Sequence, residues 1–424
     1  AETDKAVVDT TKSAETDKAV VDTTKSAETD KTIDDLNIES KKPKLTDLGN
    51  KLLLDAAINN QTLQNLTDQQ ITSLNAAALK YYDNPNKMAE INTITYKHFD
   101  DLINQLNEQP VALAVPKFNS GNIKNLPAVT TKSAQTGEVA NLDIWDSWMV
   151  QDAITQRVAE IKGYQVMFAL AGLPSNPSDT HLYMLSAPYK ATAISDWKMV
   201  GPVFGYEAVP WNQEWSGSAT LNDNETIQLF YTRVQWNNDL RQNMQKIHTV
   251  NIVVKEDENK TLYIKNIKND HLIFEGDGKN YQQIEQTFNV DRDNFTLRDP
   301  HVIEVDGTRY LAFESNTGTD KNSGYDNVTD LSNYGGSLNY NVTKLLEVSG
   351  NEETSRVASL ANGALGLVRL TNVQDNPTVD HVYGPLITSN IVTDEIERAN
   401  IVPLNGKYYL FTDTRVSKSS LESS

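Results

Sequence analysis

Three stretches of this chain follow one plan: a short polar opening, an apolar strand, a tight turn and a second, aromatic strand. They are WSGSATLNDNETIQLFYT (215–232), LRDPHVIEVDGTRYLAFES (297–315) and IERANIVPLNGKYYLFTDTR (396–415). Asp306-Gly307 and Asn405-Gly406 are dipeptides of type I′ hairpin turns, where both residues need positive φ. A looser fourth copy joins IWDSWMV to GYQVMFAL over 144–170. The copies recur irregularly at roughly 80 to 100 residues, too far apart for two strands and far enough for four plus loops. Hairpin units at that spacing predict an all-β domain of the β-propeller kind.

In a propeller the openings of the innermost strands gather round the central channel. Here those openings carry Asp146, Ser216, Asp299 and the pair Glu395 and Glu397. Carboxylates far apart in sequence would then share one pocket. A retaining glycosidase needs that arrangement, with one carboxyl ionised as nucleophile and its neighbour protonated as acid. Asp146 stands between Trp145 and Trp148, and indole faces suit the apolar C–H face of a sugar ring. Asp299 lies between Arg298 and Pro300. Glu397 follows Glu395 by two residues, so on a strand both would face the channel. Like charges so placed raise the pKa of one of them, as a general acid requires. Each motif alone has an ordinary reading: a capping Asp, an Asp-Pro turn, a salt-bridged strand. The weight comes from their matching places in the repeated unit.

The rest of the chain divides by character. Residues 1–40 hold AETDKAVVDTTKS twice without change, then a decaying third copy. This segment has no aromatic residue, and its 11 acids against 5 lysines leave too little apolar surface to offset ordering entropy. It is expected to be a disordered spacer, a composition that also suits a wall-associated stalk. Residues 41–110 carry helical periodicity. Thr67 and Gln70 form a capping box, with Ile71, Leu74, Ala78 and Leu79 on one face. Tyr96, Phe99, Ile103 and Leu106 repeat the stripe, Leu102 lies beside them, and Pro110 and Pro116 close the region. Residues 111–424 form the β-domain.

Composition excludes several classes. With no cysteine there is no disulfide, thiolate nucleophile or thiolate zinc site. A net charge of −19 opposes binding to nucleic acid or to an anionic membrane surface. No apolar run reaches the roughly 18 residues of a membrane-spanning helix. There is no G-x-S-x-G, H-E-x-x-H, phosphate loop or dinucleotide fingerprint. Asp291-Arg292-Asp293 starts like a calcium loop but lacks the Gly and the acid that complete an EF-hand. Asn224-Glu225-Thr226 is a glycosylation triplet, which a bacterial origin would make irrelevant. The chain begins at Ala1 without Met or signal peptide, which points to a processed or cut form.

IWDSW (144–148), EWSGSAT (214–220), LRDPH (297–301), FESNTGT (313–319), LANGALG (360–366) and TDEIERAN (393–400) together resemble the bacterial fructansucrases. These are the levansucrases and inulosucrases of glycoside hydrolase family 68. The resemblance runs from about residue 111 to the end. It implies a five-bladed propeller with a deep axial pocket and sucrose as fructosyl donor. Fructan, sucrose or water would be acceptor, and location would be secreted, with levan favoured over inulin.

By the same resemblance Asp146 is the nucleophile, Glu397 the acid/base, and Asp299 the stabiliser of the fructosyl transition state. Trp145, Trp215, Ser216, Arg298, Glu395 and Arg415 match sugar-binding positions. Asp293, Asp326, the Leu360 carbonyl, Asn362 and Asp394 match a structural Ca²⁺ site of hard oxygen ligands. Family members continue beyond the strand that ends near Arg415, so the last blade is expected to be incomplete. A purely hydrolytic β-fructosidase and a non-catalytic glycan-binding module are the rival readings.

Overall fold

The computed structural model describes residues 43–58, 65–108, 119–122, 124–206, 209–287, 294–318 and 324–414. The repeat spacer, Asp293 and Arg415 lie outside this set.

The predicted hairpins are all present, and each opens a blade. The strands are β1 (Thr130–Lys132), β2 (Val139–Asn141), β3 (Asp143–Gln151), β4 (Tyr164–Gly172), β5 (His181–Pro188), β6 (Lys198–Pro202), β7 (Gln213–Leu221), β8 (Ile227–Asn237), β9 (Gln242–Glu256) and β10 (Leu262–Phe274). There follow β11 (Leu297–Val305), β12 (Thr308–Asn316), β13 (Gly363–Leu370), β14 (Val379–Val382), β15 (Ile387–Thr388), β16 (Glu397–Leu404) and β17 (Lys407–Asp413). β3 to β6 form one antiparallel blade, β7 to β10 a second, and β11 to β14 a third, where β15 also pairs with β13. The described strands of the next blade are β16 and β17. The innermost strands β3 and β7 pair in parallel at Val150 with Ala219 and Gln151 with Thr220. The Asp306-Gly307 and Asn405-Gly406 turns hold φ of 50° and 75°, and of 51° and 72°.

Blades pack face to face, which explains why their strands are apolar on both sides. Val150, Phe168, Leu229 and Tyr231 fill the gap between the first and second blades. Phe230, Phe274, Tyr281 and Phe313 fill the next. Ala312, Leu365, Ile396 and Ala399 join the third blade to the β16–β17 hairpin.

Among the described residues three α-helices precede the propeller: α1 (Asp47–Asp55), α2 (Asp68–Asp83) and α3 (Tyr96–Glu108). Thr67 and Gln70 form the expected capping box on α2. Leu74 and Ala78 are buried, but Leu79 is 62% exposed and Ala77 takes its place in the core. A face centred on 74 and 78 reaches 77 and 81 through the three- and four-residue spacing, and 79 lies off it. On α3, Tyr96, Phe99 and Ile103 face the core and Leu102 is exposed; the Leu106 side chain lies outside the described set. These helices share one core with the later elements α4 (Tyr325–Val328), α5 (Leu338–Gly350) and α6 (Glu352–Leu360), and with Ile391 and Val392. No described helix is long and apolar enough to cross a membrane.

Gly217 sits where β7 breaks register with β8. A Cβ there would meet the Phe230 carbonyl oxygen at 1.9 Å, and backbone cannot yield as a side chain can. Gly217→Ala is expected to cost about 1–3 kcal/mol or more, as overpacking does. Chemical denaturation of the two proteins side by side measures this, and an unchanged midpoint would contradict it.

Candidate active site

The register of each of the four described innermost hairpins breaks at the same place. The breaks fall between Ile144 and Ser147, Trp215 and Gly217, Arg298 and His301, and Glu397 and Asn400. A β-bulge leaves its extra residues unpaired and re-aims their side chains. The residues inside the breaks include Asp146, Ser216, Asp299 and Arg398, and all four line one cavity of about 610 Å³. That volume is in the range of small-molecule sites. Asp299 and Arg398 hold φ of 55° and 56°, a left-handed backbone rare for residues with a Cβ. Strain of this kind persists where the surrounding structure over-determines it, and it clusters at functional sites.

Asp146 is half exposed at the cavity. Its Oδ2 accepts a hydrogen bond from the Ser216 hydroxyl and lies 3.7 Å from Arg398 Nη1. Arg398 also lies over the Trp148 ring, 5.7 Å from its centroid. Trp145 and Trp215 line the cavity, and Trp215 Nε1 donates to Gln213 Oε1 at 2.9 Å. Trp148 does not line this cavity. It packs against Phe168 behind the bulge, so of the two indoles flanking Asp146 only Trp145 can meet a ligand there.

Arg298 organises the other side. Its Nε stands 2.8 Å from Glu314 Oε2, and its Nη2 stands 3.0 Å from both Glu395 Oε1 and Glu397 Oε1. Glu395 also accepts from Asn294 Nδ2 at 2.8 Å. The guanidinium is buried, and four neighbouring carboxylates, Glu314 foremost, hold its pKa above the usual value against the opposing effect of burial. Asp299 is buried beside it, with its backbone N–H bonded to Thr232 Oγ1 at 3.1 Å. Burial pushes the Asp299 carboxyl up to about 6; Arg298 and Arg398 oppose the rise, and Asp146 and Glu397 add to it. Burial likewise raises Glu314 well above the carboxylate range, and the surrounding acids reinforce it.

The structure therefore brings Trp145, Asp146, Trp215, Ser216, Arg298, Asp299, Glu395 and Glu397 to one cavity. Two participants were missed in the sequence. Arg398 directly follows Glu397 and looked like an ordinary strand arginine until the bulge turned it inward. Glu314 faces Arg298 through the β11–β12 ladder, a pairing that only the register reveals.

Of the residues matched to a cation site, three converge. Asn362 Oδ1 lies 3.2 Å from the Leu360 carbonyl oxygen and 3.3 Å from Asp394 Oδ1. In this orientation Asn362 accepts from Asn316 Nδ2 at 2.9 Å and donates to Gln282 Oε1 at 3.3 Å. Turning the amide over would set like atoms against both partners. Three buried oxygens, none a donor, thus crowd one point, a donor set that fits a hard cation. Asp326 does not join them. It sits at the start of α4 with its side chain 74% exposed, where it pairs with Lys80 at 3.1 Å.

A propeller whose inner-strand bulges gather acids, arginines and indoles round one cavity is the architecture of a carbohydrate-active site. The profile of glycoside hydrolase family 68, described as Levansucrase/Invertase, matches residues 83–423, and the chain belongs to that family. It is 44% identical over 361 residues to a levansucrase of Lactobacillus gasseri, covering 84% of this chain and 46% of that one. It is 42% identical to an inulosucrase of Lactobacillus johnsonii, covering 84% and 44%. The chain thus spans about half the length of these curated relatives. A solved Bacillus subtilis levansucrase matches with a TM-score of 0.68 at 38% identity, covering 78% of this chain and 74% of that one; it shares the five-bladed propeller fold.

The raised carboxyls predict a pH effect on stability. Asp299 binds a proton more tightly folded than unfolded, so its contribution favours the fold at low pH and is lost as pH rises from about 4 to about 6. Asp299→Asn should flatten that part of the melting-temperature profile. A slope in this window equal to that of the parent would count against the assignment.

Proposed function

We propose that this chain is a sucrose fructosyltransferase that works with retention through a covalent fructosyl ester on Asp146. One observation carries the reading: Asp146, steadied by Ser216 and Arg398, shares a cavity with Glu397, steadied by Arg298, and with the buried Asp299. Retaining chemistry needs two carboxyl groups in these roles.

Sucrose enters with its fructosyl ring among Trp145, Trp215 and Asp299. An Asp146 carboxylate oxygen attacks the anomeric carbon of the fructosyl unit. The bond to the glucosyl oxygen breaks, and that oxygen takes the proton of the Glu397 carboxyl, so glucose leaves. In the second half the Glu397 carboxylate takes the proton of an acceptor hydroxyl, whose oxygen attacks the same carbon. The ester bond breaks and Asp146 returns as a carboxylate. Asp299, with its pKa near 6, can hold a proton or release it close to neutral pH and hydrogen-bonds the fructosyl hydroxyls in either form. Acceptors are a growing fructan, sucrose or water. The levansucrases among the relatives support levan as product.

A structural Ca²⁺ fits the oxygens of Leu360, Asn362 and Asp394. Bound there, it would neutralise negative charge next to Glu395. The N-terminal repeats support a secreted protein associated with the cell wall.

Sugar release from sucrose tests the whole reading. Glucose in excess of free fructose is expected, and Asp146→Ala should reduce glucose release by at least about 10⁴-fold while leaving the melting temperature within a few degrees. Equal glucose and fructose would indicate a hydrolase, and saccharide binding without turnover a glycan-binding module. Adding a chelator should lower the melting temperature by several degrees, as loss of a ligand bound to the native state does. An unchanged melt would remove the cation from the account.

A further inference from the structure

Strand β7 separates two environments. Gln213, Trp215 and Ser216 face the catalytic cavity, while Glu214 turns to the other side and lines a separate cleft with His181 and Trp211. Glu214 is 1% exposed, and no step of the proposed reaction uses it. A buried carboxylate is costly unless fully partnered, and this one is. Its Oε1 accepts from Trp211 Nε1. Its Oε2 accepts from the Leu182 N–H at 3.2 Å and faces His181 Nδ1 at 3.0 Å. The Glu214 N–H donates to the Thr180 carbonyl at 3.0 Å. Behind it, His181 Nε2 stands 3.2 Å from Asp179 Oδ1 and 3.4 Å from Gln135 Oε1. Asp179 Oδ2 in turn accepts from the Leu173 N–H at 2.7 Å.

We infer that Glu214 is a positioning residue: clamped by His181, Leu182 and Trp211, it fixes the opening of β7 and so aims the Ser216 hydroxyl at Asp146. The geometry is direct. Ser216 lies two residues on, at the bulge where ladder pairing lapses between Trp215 and Gly217. The ladder therefore cannot set the direction of Ser216 by itself. The Thr232 hydroxyl holds the Ser216 carbonyl from β8 at 3.1 Å, and Glu214 anchors the same opening from the opposite face, with four contacts to β5, the residue before it and the loop before β7. The imidazole completes the clamp between two carboxylates: burial lowers its proton affinity, but the hydrogen bond and charge of Glu214 and the charge of Asp179 outweigh that and raise it. The carboxylates facing it are Glu214 from β7 and Asp179 from the turn before β5, and Gln135 from the β1–β2 turn is neutral.

This inference rests on Asp146 as nucleophile, and its test separates the two ideas. Glu214→Gln keeps the shape and turns N–H groups toward Leu182 and His181. It is combined with Ser216→Ala in a double-mutant cycle. Glu214→Gln alone is expected to lower kcat/KM for glucose release about tenfold, through weaker sucrose binding as well as slower chemistry, the scale on which small misplacements act. On top of Ser216→Ala it should cost less than about twofold. Effects that simply multiply would overturn the link, because a general loss of stability would act equally in both backgrounds. His181→Gln approaches the clamp from the other end and should show the same non-additivity if Glu214→Gln fails to fold. The cycle is repeated as sucrose affinity by calorimetry in Glu397→Gln protein, which needs no turnover. There, coupling of Glu214 to Ser216 supports the clamp and independence overturns it. A parent chain that binds sucrose without releasing glucose would sink the fructosyltransferase reading while the affinity cycle still decides the clamp.

Discussion

The buried guanidinium of Arg298 is the contact on which both the fold near the site and its chemistry depend. Five acids, Asp146, Asp299, Glu314, Glu395 and Glu397, approach the site from three blades, and carboxylates out of water repel one another strongly. Arg298 meets three of them, Glu314 from β12, Glu395 from the segment before β16, and Glu397 at its start. A single positive charge cannot balance them all. Arg398 adds a second positive charge beside Asp146, and burial still raises the proton affinity of Glu314 and Asp299. A planar fork with several N–H donors can span such a set; an ammonium of the same charge would not match the geometry.

The bulges convert a repeated strand into a varied site. A strictly alternating β3 would send Asp146 and Trp148 to one face. The bulge between Ile144 and Ser147 separates them, leaving Asp146 at the cavity and Trp148 packed on Phe168. The same device delivers a hydroxyl in β7, an acid in β11 and an arginine in β16. One backbone defect, used four times, lets four blades contribute different chemistry at equivalent positions.

This explains which parts were legible in the sequence. Hairpins announced by Asp306-Gly307 and Asn405-Gly406, and the Thr67–Gln70 capping box, depend on residues within a few positions of one another. Such signals survive without the fold. The acids were legible because their places in the repeated unit matched. Glu395 and Glu397 line one cavity although only Glu397 lies on the strand; Glu395 reaches the same Arg298 nitrogen from the preceding loop. Arg398 and Glu314 were hidden because a bulge and a cross-strand register decide their roles. Asp326 lies apart from Leu360, Asn362 and Asp394 and pairs with Lys80, more than 200 residues away in sequence, a contact no local pattern announces.

The helices carry no reacting group, yet the site leans on them. Residues 388–397 pass from the helical core to the catalytic cavity in one short run. Thr388 pairs with Thr93 of the segment before α3, Ile391 and Val392 sit in the helical core, and Asp394 faces the oxygen nest of Asn362. Ile396 then enters the blade core, while Glu395 and Glu397 reach Arg298. Ile391 holds φ of 62°, a conformation foreign to a β-branched side chain. Such strain needs compensation from tight packing on both sides, and the side chain is fully buried. Glu397 is therefore aimed by a strained connector pinned at one end by the helices and at the other by the propeller. A propeller stripped of its helices would lose the anchor of that connector, which makes the helical segment part of the geometry of the site.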